Sequence, residues 1–191
     1  MRNMHQIHPR LCPAAQQAFR PLRRSLSTQA YPRPLYLIET NDKLYGISMV
    51  DPAKLSRVLP KALVGWVPKE TAPEPSSFAG PSPRSFLENK EFQDVLHSTL
   101  EKYIHLDVHT QDLARHQNIG HLNINDQRVF SPWGRVSDPE DIFGTVLLDQ
   151  GRIVPGSYQR TGSHRVVSRE GLFQLSDYMY EQLLGEIRLL R

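Results

Sequence analysis

Cysteine is nearly missing from this chain. Cys12 is the single example among 191 residues, and it lies in an N-terminal segment that we expect to be removed. A chain with one thiol forms no internal disulfide, and without Cys12 there is neither a thiolate metal ligand nor a cysteine nucleophile. Long hydrophobic runs are missing too, since no stretch approaches the roughly 18 consecutive apolar residues of a membrane-spanning helix. The sequence therefore predicts no membrane span, and its length favours one domain of ordinary size.

The short motifs that mark several common enzyme families are also missing. The chain contains no G-x-x-x-x-G-K-[ST] phosphate loop, no G-x-G-x-x-G dinucleotide fingerprint, no H-E-x-x-H zinc motif and no G-x-S-x-G nucleophile elbow. Nucleotide binding through either glycine loop therefore has no support. On this basis we predict no cofactor and no metal site.

Acidic residues are absent from residues 1–26, although five arginines fall there: Arg2, Arg10, Arg20, Arg23 and Arg24. A basic, acid-free segment is typical of a mitochondrial transit peptide. Arg24-Ser25-Leu26, followed by Ser27, resembles the cleavage pattern of the matrix peptidase. We therefore expect residues 1–26 to be a transit peptide and the mature protein to lie in the mitochondrion, in the matrix. The alternative interpretation is a disordered basic tail.

The charge balance changes once that segment is set aside. The whole chain carries a formal net charge of +3, from 23 Lys and Arg against 20 Asp and Glu. Without the five arginines, 18 basic residues remain against the same 20 acids, which leaves about −2. A general attraction to nucleic-acid phosphates is therefore not supported, while a local basic patch remains an alternative.

Three further segments are predicted after the transit peptide. Residues 27–67 contain two short strand patterns, at 35–39 and 45–50, and then a short helix that Asp51 would cap. Residues 68–84 hold five prolines and are predicted to form a surface loop. Residues 85–191 are predicted to be the main domain.

The clearest pattern in the main domain is an amphipathic helix over residues 85–105. Its apolar residues recur every three or four positions, and Ser85-x-x-Glu88 has the spacing of a capping box. A second short helix is expected at 107–116, a strand at 119–124, and a C-terminal helix that begins after Ser176. The predicted fold class is α+β: a small, mostly antiparallel sheet on which the long amphipathic helix and the C-terminal helix pack.

The strand predictions after residue 131 complete that sheet. Residues 142–148 are almost continuously apolar, which predicts a strand buried on both faces. A turn at Gly151 follows it. Residues 157–161 and 164–168 are predicted to pair with each other as antiparallel strands.

An acidic proline turn, Asp138-Pro139-Glu140-Asp141, precedes the apolar strand. Three carboxylates this close could bind a hard cation or act as a general acid and base. The favoured interpretation is structural: Asp138 caps a turn, Pro139 takes its first position, and the other two acids favour its positive end. Arg135 is the predicted ionic partner.

Histidines and serines supply weaker candidates. His105 and His109 have the i, i+4 spacing of some zinc ligands, but the helix is expected to break between them. His164 with Ser157, Ser163 or Ser168 could form a nucleophile set. Adjacent strand residues point to opposite faces, however, so Ser163 and His164 are not expected to meet.

The runs PWGRVSDPEDIFGTVLLDQG and GSYQRTGSHRVVSREGLFQLS resemble an uncharacterised family of fungal mitochondrial proteins. Shared features are the turn at Trp133, the acidic turn, the apolar strand, a G-S-Y-Q strand and the final G-L-x-x-L-S. The resemblance covers roughly residues 85–185. It implies a mitochondrial location and implies no activity, cofactor or catalytic residue.

Together these observations favour a soluble mitochondrial protein that works by binding, as an accessory or assembly factor of a mitochondrial protein complex. The candidate binding surface consists of Trp133, Arg135, Asp138, Glu140, Asp141, Tyr158 and Arg165. One alternative is a small hydrolase-like enzyme that uses the acidic turn at 138–141. Another is a mitochondrial ribosome- or RNA-associated protein with a basic patch at Arg152, Arg160, Arg165 and Arg169.

Overall fold

A computed structural model of the protein describes residues 20–26, 31–55, 58–71, 80–129 and 136–190. Its three α-helices within these ranges are α1 (Lys90–Tyr103), α2 (Val108–Gln117) and α3 (Asp177–Leu189). Its strands there are β1 (Arg20–Leu26), β2 (Leu35–Glu39), β3 (Leu44–Ser48), β4 (Gly65–Pro68), β5 (Leu87–Glu88), β6 (Gly120–Asn125), β7 (Ile142–Asp149), β8 (Arg152–Ile153), β9 (Gln159–Arg160), β10 (Val167–Ser168) and β11 (Gly171–Leu172). The α+β class is confirmed.

The first sheet joins β1 to β5 in sequence order, and every neighbouring pair is antiparallel. The predicted β2–β3 hairpin is confirmed. Its turn is held by Asn41, whose side-chain oxygen accepts hydrogen bonds from the backbone N–H of Lys43 and Leu44 at 2.9 and 2.8 Å. This use of an asparagine side chain to replace backbone partners is common in tight turns.

The predicted short helix after Asp51 is a single 3-10 turn, Pro52–Lys54. The predicted cap is confirmed, since Asp51 Oδ1 accepts a hydrogen bond from the backbone N–H of Ala53 at 2.9 Å. Pro52 at the first position of the turn has no N–H to lose.

Helix α1 begins five residues later than predicted. Leu87 pairs with Trp66 in the first sheet, and this extended pairing is incompatible with a helical Ser85–Glu88 turn. The predicted capping box is therefore wrong, and Asn89 is the cap. Its Oδ1 accepts from Glu91 N–H at 3.1 Å, and its Nδ2 donates to the carbonyls of Pro60 and Leu63 at 2.8 and 2.7 Å. One side chain thus caps the helix and joins it to the turn at 60–63, which precedes β4.

The second sheet has the order β6–β7–β8, and β9 pairs with β7 beside β8. The predicted burial of 142–148 on both faces is wrong. Phe143 and Val146 are 1% exposed, whereas Leu147 is 40% exposed. From Thr145 onwards, half-buried or exposed side chains alternate with buried ones, as on a sheet with one face on the core. Phe143 and Gly144 are both buried, at the point where the β6–β7 register is irregular.

The predicted pairing of 157–161 with 164–168 is also wrong. Strand β9 pairs with β7, and β10 pairs instead with β11 in a separate two-stranded sheet. Residue Gly171, with φ of +102°, closes the short β10–β11 turn in a conformation that suits glycine. The turn chemistry of 169–171 therefore sets the partner of β10.

One hydrophobic core joins these parts. Helix α1 buries Phe92, Leu96 and Leu100 and packs against α3. The Phe173 ring lies 6.0 Å from Phe92 and 6.1 Å from Phe143, measured between centroids, and so links α1 to the second sheet. Residues of the first sheet belong to the same buried cluster.

Among the described residues, no helix combines the length and the apolar character needed to cross a membrane.

Candidate functional site

The acidic turn is a 3-10 turn, Pro139–Asp141, and its three carboxylates have different surroundings. Asp138 occupies the cap position, but its side chain accepts no capping hydrogen bond and lies exposed, 3.7 Å from Arg169 Nη2. Glu140 is half-buried. Asp141 is buried and pairs with Arg128. The predicted position of Pro139 is confirmed, while the predicted cap by the Asp138 side chain is wrong.

Arg128 is the centre of a buried polar cluster that the sequence reading missed. Its Nε–H donates to Asp141 Oδ1 at 2.8 Å. Its two other nitrogens donate to four backbone carbonyls, those of Val166, Gly171, Glu140 and Arg165, at 2.9 to 3.4 Å. All five guanidinium N–H groups therefore have an acceptor, and the side chain has no exposed surface. This Arg128 is a structural residue that fastens the acidic turn to the 165–171 segment.

Asp126 completes the cluster. Its Oδ1 accepts from the backbone N–H of Arg128 and Gln174 at 2.9 and 2.8 Å. Its Oδ2 lies 3.4 Å from Arg128 Nε and 3.3 Å from His164 Nε2. A buried carboxylate is tolerated here because charge and hydrogen bonds both compensate it.

Tyr158 was predicted to be an exposed contact residue, and this prediction is wrong. It is 9% exposed, and its hydroxyl bonds the Phe143 carbonyl at 3.1 Å and His97 Nδ1 at 2.8 Å. Burial raises the pKa of Tyr158. Burial also lowers the pKa of His97 to about 4, with the charges of Arg160 and His164 acting in the same direction. His97 is therefore neutral at physiological pH.

Of the remaining predicted surface residues, Arg165 lies beside the acidic turn, where its backbone N–H donates to the Glu140 carbonyl at 3.1 Å. Trp133 and Arg135 lie outside the described residues. Arg165 has an exposed side chain, and only its backbone takes part in the Arg128 cluster.

The predicted nucleophile sets are not assembled. Ser163 Oγ donates to the Pro139 carbonyl at 2.9 Å, and Ser157 Oγ donates to the Val154 carbonyl at 2.6 Å. Ser168 Oγ accepts from the backbone N–H of Glu170 at 3.2 Å. None of these hydroxyls meets His164, which pairs with Asp126.

The histidine pair is separated as expected. Helix α1 ends at Tyr103, His105 lies in a 3-10 turn, and His109 lies in α2. Within the described ranges, no group of three or more His, Cys, Asp and Glu side chains is placed to hold a metal ion.

A cleft of about 1150 Å³ lies between the end of α1, helix α2, strand β6 and the start of α3. Its inner wall is apolar and includes Leu100, Ile104 and Phe143. Val129 and Val136, which flank the segment of Trp133 and Arg135, both line it. The chain thus enters and leaves that segment at the cleft.

Two helix starts meet at the floor of the cleft. Asp107 Oδ2 accepts from the N–H and hydroxyl of Thr110, at 3.0 and 2.6 Å, and so caps α2. Ser176 caps α3 by accepting from Met179 N–H at 3.2 Å. These first-turn donors already have acceptors in the protein, so the helix starts do not form an anion site by themselves.

A smaller cavity of about 380 Å³ lies between the first sheet and α3. Arg33 reaches across it, with its guanidinium carbon 3.8 Å from the centre of the Tyr180 ring. Its Nη2 donates to Asp177, which ties the segment before β2 to the start of α3. The contacts of Arg33 are therefore those of a connecting residue.

Comparisons with known proteins give no information about the site. No family model, no curated protein and no solved structure matches this chain. The cleft and the Arg128 cluster were both missed at the sequence level. One available signal was the Asp126-x-Arg128 spacing directly after the predicted strand 119–124, which is typical of a side-chain-capped turn.

Proposed function

We propose that this protein is a mitochondrial binding protein that holds a segment of a partner protein in the cleft, as an accessory or assembly factor does. The observation that carries the proposal is the cleft itself. At about 1150 Å³, it combines an apolar inner wall with polar side chains at its rim, among them His109, Gln117 and His121. Concave sites of this composition are the usual binding sites of proteins.

The surroundings of the candidate chemical groups support binding over hydrolysis. Asp141 is paired with Arg128, Ser157 and Ser163 donate their hydroxyl hydrogens to carbonyls, and Ser168 Oγ accepts from the Glu170 N–H. A general base must lie within hydrogen-bonding reach of the proton that it removes. The hydrolase-like alternative therefore gains no support from this geometry.

The charges support a protein partner over RNA. No lysine or arginine occurs among the described residues that line the cleft. Of the predicted basic patch, Arg160 pairs with Asp94 at 3.0 Å and Arg169 pairs with Glu170 at 3.1 Å. Phosphate binding relies on cationic groups that are free to replace counterions.

A cleft-filling substitution tests the proposal. Asn123→Trp would place an indole in the cleft, and Gln159→Trp would place the same ring on the exposed strand β9 as a matched control. Tagged full-length chains would be expressed in the source cells, and mitochondrial extracts compared by native gel. We expect Asn123→Trp to lose a high-mass complex that the wild type and Gln159→Trp retain, at similar melting temperatures. Equal complex formation by all three would contradict the proposal.

The same preparation tests location. The mature protein is expected to be recovered from mitochondria with Ser27 as its first residue, or a residue shortly after it. Such processing would remove β1 (Arg20–Leu26) and leave β2 as the edge of the first sheet. Intact mass measurement decides this, and an unprocessed Met1 form in purified mitochondria would contradict the predicted transit peptide.

A further inference from the structure

The free edge of β6 runs along the cleft. Seven consecutive residues, 121–127, line the cleft, although alternate side chains of a strand point to opposite faces. A cavity touches consecutive residues when it lies beside the strand rather than above one face. Within the described part of the chain, β6 pairs only with β7, so its other edge faces the cleft.

The hydrogen bonds of β7 show which backbone groups point into the cleft. The Phe143 and Leu147 carbonyls accept from Thr161 and Val154 N–H, on the side of β7 away from β6. Residues 143, 145 and 147 therefore direct their backbone groups away from β6. Asn123 is the register partner of Thr145, so the N–H and C=O of Asn123 point away from β7 as well.

A neighbouring contact confirms this direction. The His121 carbonyl, two residues earlier on the same edge, accepts from Gln117 Nε2 at 2.8 Å, on the cleft side. No described residue takes up the Asn123 N–H or C=O in the same way. Asn125 Oδ1, also at the cleft, is buried without a partner among the described residues. Asn123 is half-buried, so its N–H and C=O are edge groups open to a partner strand. Buried polar groups are nearly always hydrogen-bonded, so Asn125 Oδ1 indicates a missing donor.

The cleft also contains a carboxyl group, that of Asp107, that forms no ion pair with a described residue. Asp107 is 3% exposed and accepts only from Thr110 and Ser176, which are neutral donors. No ion pair joins Asp107 to a cation in the described chain, whereas Asp126 has Arg128 and Asp177 has Arg33. A cationic side chain in the cleft would complement Asp107.

We infer that the partner segment adds to β6 as an extra antiparallel or parallel strand, and that it carries apolar residues alternating with lysine or arginine. Strand addition supplies the missing partners of Asn123, the apolar wall takes alternate side chains, and Asp107 attracts the cations. This inference rests on the proposed function and specifies its partner. A second copy of this chain is a poorer occupant, because its own β6 edge is recessed behind the same α2 and α3 walls.

Substitution of Asn123 by proline tests whether the backbone N–H of residue 123 contributes to binding of the partner strand. The Asn123 N–H points away from β7, so Asn123→Pro removes the edge donor and leaves the β6–β7 hydrogen bonds intact, as prolines on edge strands do. Asn123→Ala removes the side chain and keeps the N–H. Thermal melts of both variants would establish that they fold.

The probe is a short fluorescein-labelled peptide of alternating valine and lysine, and binding to the full chain is followed by anisotropy. We expect saturable binding, weakened by at least about tenfold in Asn123→Pro and by less in Asn123→Ala. Alternate N-methylation of the peptide should abolish binding, and a valine–glutamate peptide should bind more weakly. Strand addition would be contradicted if the peptide does not bind, or if it binds Asn123→Pro as tightly as the wild type. Dimerisation of the chain in place of peptide binding would contradict it as well.

Failure of this inference is distinguishable from failure of the proposed function. If the mitochondrial complex is lost in Asn123→Trp but is retained in Asn123→Pro, the cleft binds its partner in another conformation. If the complex survives Asn123→Trp as well, the proposed function fails.

Discussion

Asp107 Oδ1 accepts a hydrogen bond from Ser176 Oγ at 2.9 Å, across 69 positions of sequence. Because Asp107 caps α2 and Ser176 caps α3, one contact fixes the first turns of both helices at the cleft floor. The shape of the cleft therefore depends on a pair of polar side chains as well as on the apolar core.

Because Asp107 and Ser176 are hydrogen-bonded to each other, removing both side chains should not change the free energy of unfolding by the sum of the two single changes. Ser176→Ala should lower the free energy of unfolding by about 1 kcal/mol, the usual effect of losing a cap. Asp107→Ala should lower it further, since the change uncaps α2 and also removes the acceptor of Ser176. A double-mutant cycle by urea denaturation should give a coupling of roughly 0.5–3 kcal/mol. Strictly additive effects would show that the Asp107–Ser176 contact contributes nothing.

The Arg128 cluster predicts a severe loss of stability on removal of its centre. Arg128→Met leaves the buried Asp126 and Asp141 carboxylates without a cation, and we expect a loss of roughly 3–5 kcal/mol. Arg152→Met, at the exposed residue of β8, is the control, with an expected change within about 0.5 kcal/mol. Similar melting temperatures for the two variants would contradict a structural role for Arg128.

Two adjacent residues of β7 should differ in how much stability is lost when each is replaced by alanine. Val146 is 1% exposed and Leu147 is 40% exposed. Val146→Ala should destabilise the protein by roughly 1–3 kcal/mol through lost burial and a cavity, and Leu147→Ala by about 1 kcal/mol or less. Chemical denaturation of both variants decides this. A larger loss at Leu147 would mean that the outer face of β7 is covered.

The depressed pKa of His97 predicts a pH dependence of stability. Its ordinary value is about 6.5, and the folded value is about 4, chiefly because the ring is buried. Between these values the unfolded chain binds a proton that the folded chain does not. The His97 contribution is therefore lost progressively as pH falls from about 6.5 to about 4, and it is constant above that window.

His97→Asn is the matching variant, since its amide can still bond the Tyr158 hydroxyl. Urea midpoints measured across the window should fall less steeply with acidification in the variant than in the wild type. Parallel slopes would show that His97 titrates alike in both states.

Local pattern was sufficient for much of the fold. Apolar spacing predicted α1 and α3, and the turn residues predicted the β2–β3 hairpin. The errors arose where strand pairing overrode the local sequence pattern. Leu87 pairs in the first sheet, so α1 starts later than predicted, and β10 pairs with β11 instead of β9.

The candidate site was harder to predict for the same reason. The bond from Arg128 to the carbonyl of Gly171 spans 43 positions, and that from Asp107 to Ser176 spans 69. Whether β6 has a free edge depends on sheet order, which its own residues do not encode. Trp133 and Arg135 lie outside the described residues, so their place in the binding surface stays a prediction.

Site-directed photo-crosslinking in mitochondria tests the central claim, that the cleft holds a partner, most directly. Benzoylphenylalanine at His109 would lie at the cleft rim, and the same residue at Glu101 would lie on the solvent-exposed side of α1. The account predicts that the probe at His109 cross-links to one partner and that the probe at Glu101 does not. Peptide mapping should place the cross-link in a single extended segment of that partner. Asn123→Trp should abolish the cross-link. Equal cross-linking at both positions, or none at His109, would contradict it.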